Sequence, residues 1–267
     1  LGICGTAMGA VAAAMVRRGF TVTGSDANVY PPLSTFLEEE GITLFEGYKA
    51  SNIPPDADVI VIGNAMSRGN EEVEAVLQRR LRYLSLPETM KEYFLRGKRN
   101  YVVTGTHGKT TTTSMLAWLM EDSGLNPSFM IGGIARNLGR GGRLRIPIFP
   151  CLEGDEYDTA FFDKRSKFLH YLPELVVINN IEFDHADIYH SLEEIKLSFR
   201  RLTQIIPATA WLWSTRTIPT AWTWLKEPRA PSRRWVFPTL PTSASWMWRP
   251  PRTAAISRWK EPGTMYR

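Results

Sequence analysis

A chain of 267 residues is long enough for one large domain or two, and its net charge of +5 and pI near 9.2 raise the question of a nucleic-acid or anionic-membrane partner. That charge is confined to the end: residues 208–267 hold ten Lys or Arg against Glu227 and Glu261, which leaves 22 basic and 25 acidic residues in 1–207, so the body argues against nucleic acid. Two cysteines, Cys4 and Cys151, make no disulfide framework; the apolar stretch 7–15 is followed rather than preceded by Arg17 and Arg18 and falls short of the ~20 residues of a membrane span, so a cytoplasmic chain with no membrane partner is expected.

From Leu1 to about Arg96, short apolar runs alternate with helical patterns. Strands are expected at 20–24, 43–45, 58–63 and 82–84, and helices around 8–18, 33–40, 70–80 and 87–96; such alternation makes a parallel sheet with crossover helices. Gly2, Gly5 and Gly9 open the first helix, and Asp26 follows the next strand about twenty residues on. The spacing is not the dinucleotide G-x-G-x-x-G. It reads as a diphosphate site at a helix N-terminus, the pyrophosphate of a UDP-sugar included, or as a close-packed turn.

A short basic linker near 96–100 predicts a domain boundary. Beyond it, a buried strand at 101–104 runs through Gly105, Thr106, His107 and Gly108 into a helix that begins Lys109, Thr110, Thr111. This is a phosphate-binding loop: the glycines let backbone N–H groups turn inward, the helix N-terminus adds positive potential, and Lys109 reaches the β and γ oxygens. The hydroxyl of Thr110 is then placed for Mg2+. The general pattern asks for glycine at position 103, where this chain has Val103, so the loop is a narrower variant.

Further strands are expected at 128–131 and 175–179. Glu153, Asp155, Glu156 and Asp158 follow an apolar run, at a strand end where α/β ligand sites form. They read as a solvated acidic turn or as Mg2+ ligands, Glu153 being nearest the strand and Glu156 the alternative. Asn179, Asn180, Glu182, Asp184 and His185 follow the next strand, which makes His185 a candidate second metal ligand. Between these clusters, Lys164, Arg165 and Lys167 with apolar flanks read as a surface strand, a helix edge or an anion clamp.

After Pro207 the character changes: residues 208–267 hold eight of the nine tryptophans, eight prolines and one glycine, with no Asp or Asn. No helix or strand period is read there, and the segment is expected to be disordered. Translation in a wrong reading frame accounts for the composition, since residues 211–222 admit codons whose shifted frame encodes an apolar strand and a polar turn. A Trp-rich interaction tail is the other reading.

Taken together, GTHGKTTTT, LEGDEYD, FFDKRSKF and NNIEFDHADIYHSL closely resemble the Mur ligase family. The stretches LGICGTAMG, GSDANVYPPLST and IGNAMSRGN look like its members that join a peptide, rather than L-alanine, to UDP-N-acetylmuramate. The resemblance covers about residues 1–206 and is weakest over 136–150. It implies an α/β architecture: a Rossmann-like UDP-N-acetylmuramate-binding domain at 1–98, the first part of a truncated P-loop ATPase domain at 99–207, and an aberrant tail at 208–267. It also implies ATP with Mg2+, and as partners UDP-N-acetylmuramate and the muropeptide-derived tripeptide L-Ala-γ-D-Glu-meso-diaminopimelate, joined through an acyl phosphate in peptidoglycan recycling. By resemblance, the loop at Gly105, Thr106, His107, Gly108, Lys109, Thr110 and Thr111 holds the ATP phosphates. Lys109, Glu153 and His185 serve catalysis, and Thr110, Glu153 and His185 bind metal. Gly5, Thr6, Ala7, Met8, Asp26 and Asn64 line the UDP pocket. The alternatives are a non-catalytic ATP- and UDP-sugar-binding fragment, which predicts no turnover from these residues, and the L-alanine-adding relative.

Overall fold

The computed structural model describes residues 1–144, 150–184, 189, 191–215 and 233–237. In its first ninety-odd residues, helices and strands alternate as α1 (Thr6–Val16), β1 (Thr23–Asp26), α2 (Leu33–Glu39), β2 (Thr43–Glu46), β3 (Ile60–Ile62), α3 (Glu71–Gln78), β4 (Tyr83–Ser85) and α4 (Leu86–Met90), the last continued by a π turn at Lys91–Leu95. β1 pairs parallel with β2, and β3 parallel with β4. Residues 1–3 join the two pairs: Gly2 N donates to Ser25 O at 2.8 Å and Gly63 N donates to Leu1 O at 3.0 Å. The first strand starts later than the apolar run suggests, because Phe20 lies exposed against the edge of Tyr93 instead of entering the sheet.

Local chemistry explains the helix boundaries. α1 is rich in alanine and buries Val11, Ala12, Ala13, Ala14 and Met15, which suits a helix packed on more than one side. Asn70 caps α3 by accepting from Glu72 N and Val73 N, and Ser85 with Glu88 forms a reciprocal capping box on α4.

The remaining elements are β5 (Asn100–Thr104), α5 (Lys109–Asp122), β6 (Ser128–Met130), β7 (Gly142–Arg143), β8 (Pro150–Gly154), β9 (Asp158–Ala160), β10 (Asp163–Ser166), β11 (Pro173–Ile178), α6 (Leu192–Ile205), β12 (Trp211–Thr215) and β13 (Arg233–Phe237). Seven strands form one mixed sheet in the order β13-β12-β11-β5-β8-β6-β7. All neighbours are parallel except the antiparallel β6–β7 pair. β9 and β10 form a separate antiparallel hairpin, so Lys164 and Arg165 lie on a strand, while Lys167 opens a 3-10 turn at Lys167–His170.

One core spans the expected boundary near 98. Val102, Leu152, Val176 and Ile178 of the sheet pack with Phe199 and Leu202 of α6, and the same cluster includes Val11, Ala14 and Met15 of α1 and Phe94 and Leu95 of the π turn. Leu1–Phe237 accordingly form one compact unit. Among the described residues no helix is long and apolar enough to cross a membrane.

The expectation that nothing regular follows residue 207 is corrected by β12 and β13. Ala210, Leu212 and Ser214 are buried while Trp213 is exposed, and this period-2 alternation lets β12 add to β11 in register, Leu175 opposite Trp211. The tryptophan and proline content of the segment hides that short alternation. Residues 216–232 and 238–267 lie outside the described residues, and the expectation of disorder falls there.

Candidate active site

β11, β5 and β8 are adjacent and parallel, with Thr104 opposite both Ile178 and Gly154. Their C-terminal ends therefore deliver the phosphate-loop, acidic and asparagine clusters to one edge of the sheet, the place where open α/β sheets bind ligands. The loop turns through Gly105 at φ +130°, where an added Cβ would lie 3.0 Å from both N and O of Asn180. Gly108, at φ +77°, is the left-handed residue that caps α5.

Two asparagines from the end of β11 brace this loop. His107 N donates to Asn180 Oδ1 at 2.8 Å and Thr106 N to Asn180 O at 3.1 Å. Asn179 Nδ2 donates to His107 O at 3.2 Å and to Thr112 Oγ1 at 3.1 Å. Thr106 Oγ1 donates to Glu182 O and accepts from Glu182 N. The loop is thus shaped by contacts from a strand about seventy residues away in sequence rather than by its own glycines alone.

The two candidate carboxylates have different partners. Glu153 Oε1 accepts from Thr110 Oγ1 at 2.7 Å, and its Oε2 accepts from Gly132 N at 2.6 Å. Glu156 instead pairs with Lys109, whose Nζ lies 2.9 Å from Oε1 and 2.8 Å from Oε2. Burial pushes the Glu156 carboxyl above its ordinary range, against the opposing pull of the Lys109 ammonium. Thr110 with Glu153 is an all-oxygen set and fits a hard divalent cation such as Mg2+. His185 lies outside the described residues. His107 stands at the loop's outer face, with Nε2 3.8 Å from Glu182 and Nδ1 3.8 Å from Asp184.

Each cation of the 161–168 segment already has an acidic partner. Lys164 pairs with Asp158, Arg165 takes Asp163 with both Nε and Nη2, and Lys167 Nζ reaches Asp155 at 2.7 Å. Engagement of all three by carboxylates argues against an anion clamp.

A concavity of about 440 Å3 lies among the N-terminal elements, lined in part by Gly5, Asp26, Tyr30, Tyr48, Ala65 and Met66. Asp26 is oriented by Cys4 N at 2.9 Å and Asn28 N at 3.1 Å. Gly5 and Asp26 are thus brought together; Thr6, Ala7 and Met8 begin α1, and Asn64 sits exposed beside Ala65, without lining the cleft.

Sequence reasoning missed Glu72, a fully buried carboxylate beneath this cleft. It accepts from Ser25 Oγ at 2.5 Å, Asn52 Nδ2 at 2.7 Å and Lys49 N at 3.2 Å, so it ties β1 to the loop that carries Tyr48. The available signal was its i, i+4 spacing to Val76 on the buried face of α3.

Comparisons with known proteins bear on both sites. A family model described as "Mur ligase family, catalytic domain" matches residues 1–97. The chain is 50% identical over 221 residues to the UDP-N-acetylmuramate--L-alanyl-gamma-D-glutamyl-meso-2,6-diaminoheptandioate ligase of Haemophilus influenzae, which covers 83% of this chain and 49% of that protein. It is 37% identical over 207 residues to the UDP-N-acetylmuramate--L-alanine ligase of Syntrophus aciditrophicus, covering 78% of this chain and 41% of that protein. The chain therefore spans about half the length of the curated relatives it matches. The crystal structure of UDP-N-acetylmuramate:L-alanyl-gamma-D-glutamyl-meso-diaminopimelate ligase from Neisseria meningitides superposes with a TM-score of 0.79 at 44% identity, covering 89% of this chain and 75% of that one.

Proposed function

Because the chain belongs to the Mur ligase family, we propose that it serves the ATP-dependent ligation of L-Ala-γ-D-Glu-meso-diaminopimelate to UDP-N-acetylmuramate, a cytoplasmic step of peptidoglycan recycling. The observation that carries the substrate choice is the 50% identity to a tripeptide ligase against 37% to an L-alanine ligase. In this reading, residues 1–98 bind UDP-N-acetylmuramate in the cleft at Gly5 and Asp26, with Thr6, Ala7 and Met8 at the start of α1 and Asn64 beside Ala65 proposed to reach it from the cleft's edge. Residues 99–207 bind ATP through the loop 105–111.

Catalysis in this reading is positioning and electrostatics. The inward amides of the loop and the N-terminus of α5 hold the phosphates, and Lys109 neutralises the β and γ oxygens. The muramate carboxylate attacks the γ-phosphorus, giving an acyl phosphate and ADP. The tripeptide amine then attacks the acyl carbon, phosphate leaves, and the amine proton passes to solvent. Mg2+, when bound by Thr110 and Glu153, supplies positive charge beside the phosphate oxygens, and His185 is proposed for a second ion.

Equilibrium binding of Mg-ATP and of UDP-N-acetylmuramate, followed by phosphate release on addition of tripeptide or L-alanine, tests this. Binding of both ligands with release that depends on the tripeptide supports the reading; failure to bind either ligand sinks it. Binding without release favours a non-catalytic nucleotide- and UDP-sugar-binding role. The composition shift after Pro207 supports a separate proposal, that the following residues are read out of frame; the curated matches are 206 to 221 residues long in a chain of 267. Nucleotide sequence across codons 200–215 decides it: an in-frame read without insertion or deletion overturns the frameshift.

A further inference from the structure

Resting on the nucleotide-binding reading above, we propose that Glu156 is a positioning residue that parks Lys109 away from the phosphate site until a nucleoside di- or triphosphate draws it out. An ammonium group has three N–H donors. Those of Lys109 are matched by three oxygens of the protein itself: Gly105 O at 2.8 Å, Thr106 O at 3.0 Å and Glu156 Oε1 at 2.9 Å. The lysine side chain is only 12% exposed and that of Glu156 only 1%.

Glu156 is held where it is. Its backbone carbonyl accepts from Tyr189 Oη at 2.6 Å, and the buried Tyr189 is itself in reach of Ser166 Oγ and Ser198 Oγ. With its main chain anchored and its side chain almost fully buried, the carboxylate has little freedom to follow Lys109 toward solvent. Two of the three oxygens on Lys109 belong to the loop whose amides must face the phosphates, so the parked lysine also draws the loop onto itself. A phosphate oxygen that engages Nζ breaks at least one of these contacts and pulls apart a buried, charge-assisted pair. This opposition acts on β- and γ-phosphates, which the lysine reaches, and not on the nucleoside or its α-phosphate.

The test titrates the full chain, E156Q and Y189F with Mg-ATP, Mg-ADP and AMP by calorimetry, with thermal unfolding as the check on folding. Loss of the opposing charge in E156Q is expected to tighten ATP and ADP by about three- to tenfold while leaving AMP unchanged. Y189F, which frees the Glu156 backbone, is expected to show a smaller gain in the same direction. A purely structural Glu156 would weaken all three ligands together. That result, or unchanged ATP and ADP affinity in both variants, overturns the parking role. If E156Q does not fold, Y189F decides alone: tightened ATP supports the proposal, and unchanged or weakened ATP overturns it. Absence of Mg-ATP binding by the unmodified chain overturns the nucleotide reading itself, and the parking role with it.

Discussion

Gly105 shows how little room the phosphate loop leaves for another side chain. Its φ of +130° is a conformation that residues with a Cβ rarely adopt, and the added carbon would meet main-chain atoms of Asn180 rather than a yielding side chain. Gly105→Ala is expected to lose about 1–3 kcal/mol of loop stability and to weaken Mg-ATP binding measurably by calorimetry, with the rest of the fold intact by circular dichroism. Unchanged affinity would contradict the braced loop. The thiols give a second test at this scale. Burial pushes Cys151 up to about 12, so its thiol stays protonated at pH 8 and should react with an aromatic disulfide reagent only after denaturation. Rapid labelling of Cys151 in the native chain, read by peptide mass, would show the sheet to be open there. The glycines, Lys109 and Thr110 were legible in the sequence because their chemistry is local, within one turn between strand and helix. Glu156 was visible only as a rival to Glu153, because its partner Lys109 lies 47 residues away and no local pattern reports such a pairing. Glu72 was passed over, since three acids in one helical turn read as solvated, and only its i, i+4 spacing to Val76 sets it on the face that the fold buries.

Elements with strong local chemistry match their expectations closely: α5 spans Lys109–Asp122, and β5, β6 and β11 lie within two residues of the apolar runs that announced them. The β9–β10 hairpin and β12 were obscured for different reasons. Exposed charges at Lys164 and Arg165 mask the two buried positions of β10, Asp163 and Ser166, which are themselves polar. In β12, tryptophans occupy the outward positions of an otherwise ordinary alternation, and only pairing with β11 reveals which face is inward. α6 carries the clearest energetic consequence. Ser191 caps it, and its buried face presses Phe199 onto Phe168 with ring centroids 5.3 Å apart, closing the core over β11. Phe199→Ala removes a fully buried ring and is expected to cost about 3–5 kcal/mol, seen as a lower denaturant midpoint at unchanged slope. A loss below about 1 kcal/mol would mean that α6 packs elsewhere in solution.

Across the whole molecule, the parts expected to be separate share a core and also a polar network. His170, buried at the end of the 3-10 turn that follows β10, sits within reach of Asp163 on β10 and of Glu88 on α4, with Arg165 and Lys91 also facing it. Arg165 already occupies both oxygens of Asp163, so the cluster reads as an ion-pair network rather than a metal centre. Burial lowers the His170 pKa from its ordinary value of 6.5, and the attraction of Asp163 only partly offsets this. The neutral ring therefore donates Nε2–H to Asp163 at 3.1 Å in the folded chain. Because the folded pKa is depressed, the unfolded chain binds the proton more readily. The stability from a neutral His170 is complete above about pH 6.5 and is lost as pH falls through the lowered folded value. Asp163 acts in the same direction but further down: burial raises its pKa, Arg165 more than reverses this, and its contribution is lost only below the usual carboxylate value of 3.8. The two are thus separable by pH. Denaturant unfolding followed from pH 8 to 5 should show stability declining just below 6.5 in the unmodified chain, and a flatter profile over that interval in His170→Asn. An equally steep decline in the variant would move the titrating group elsewhere and leave His170 a packing residue between α4 and the hairpin.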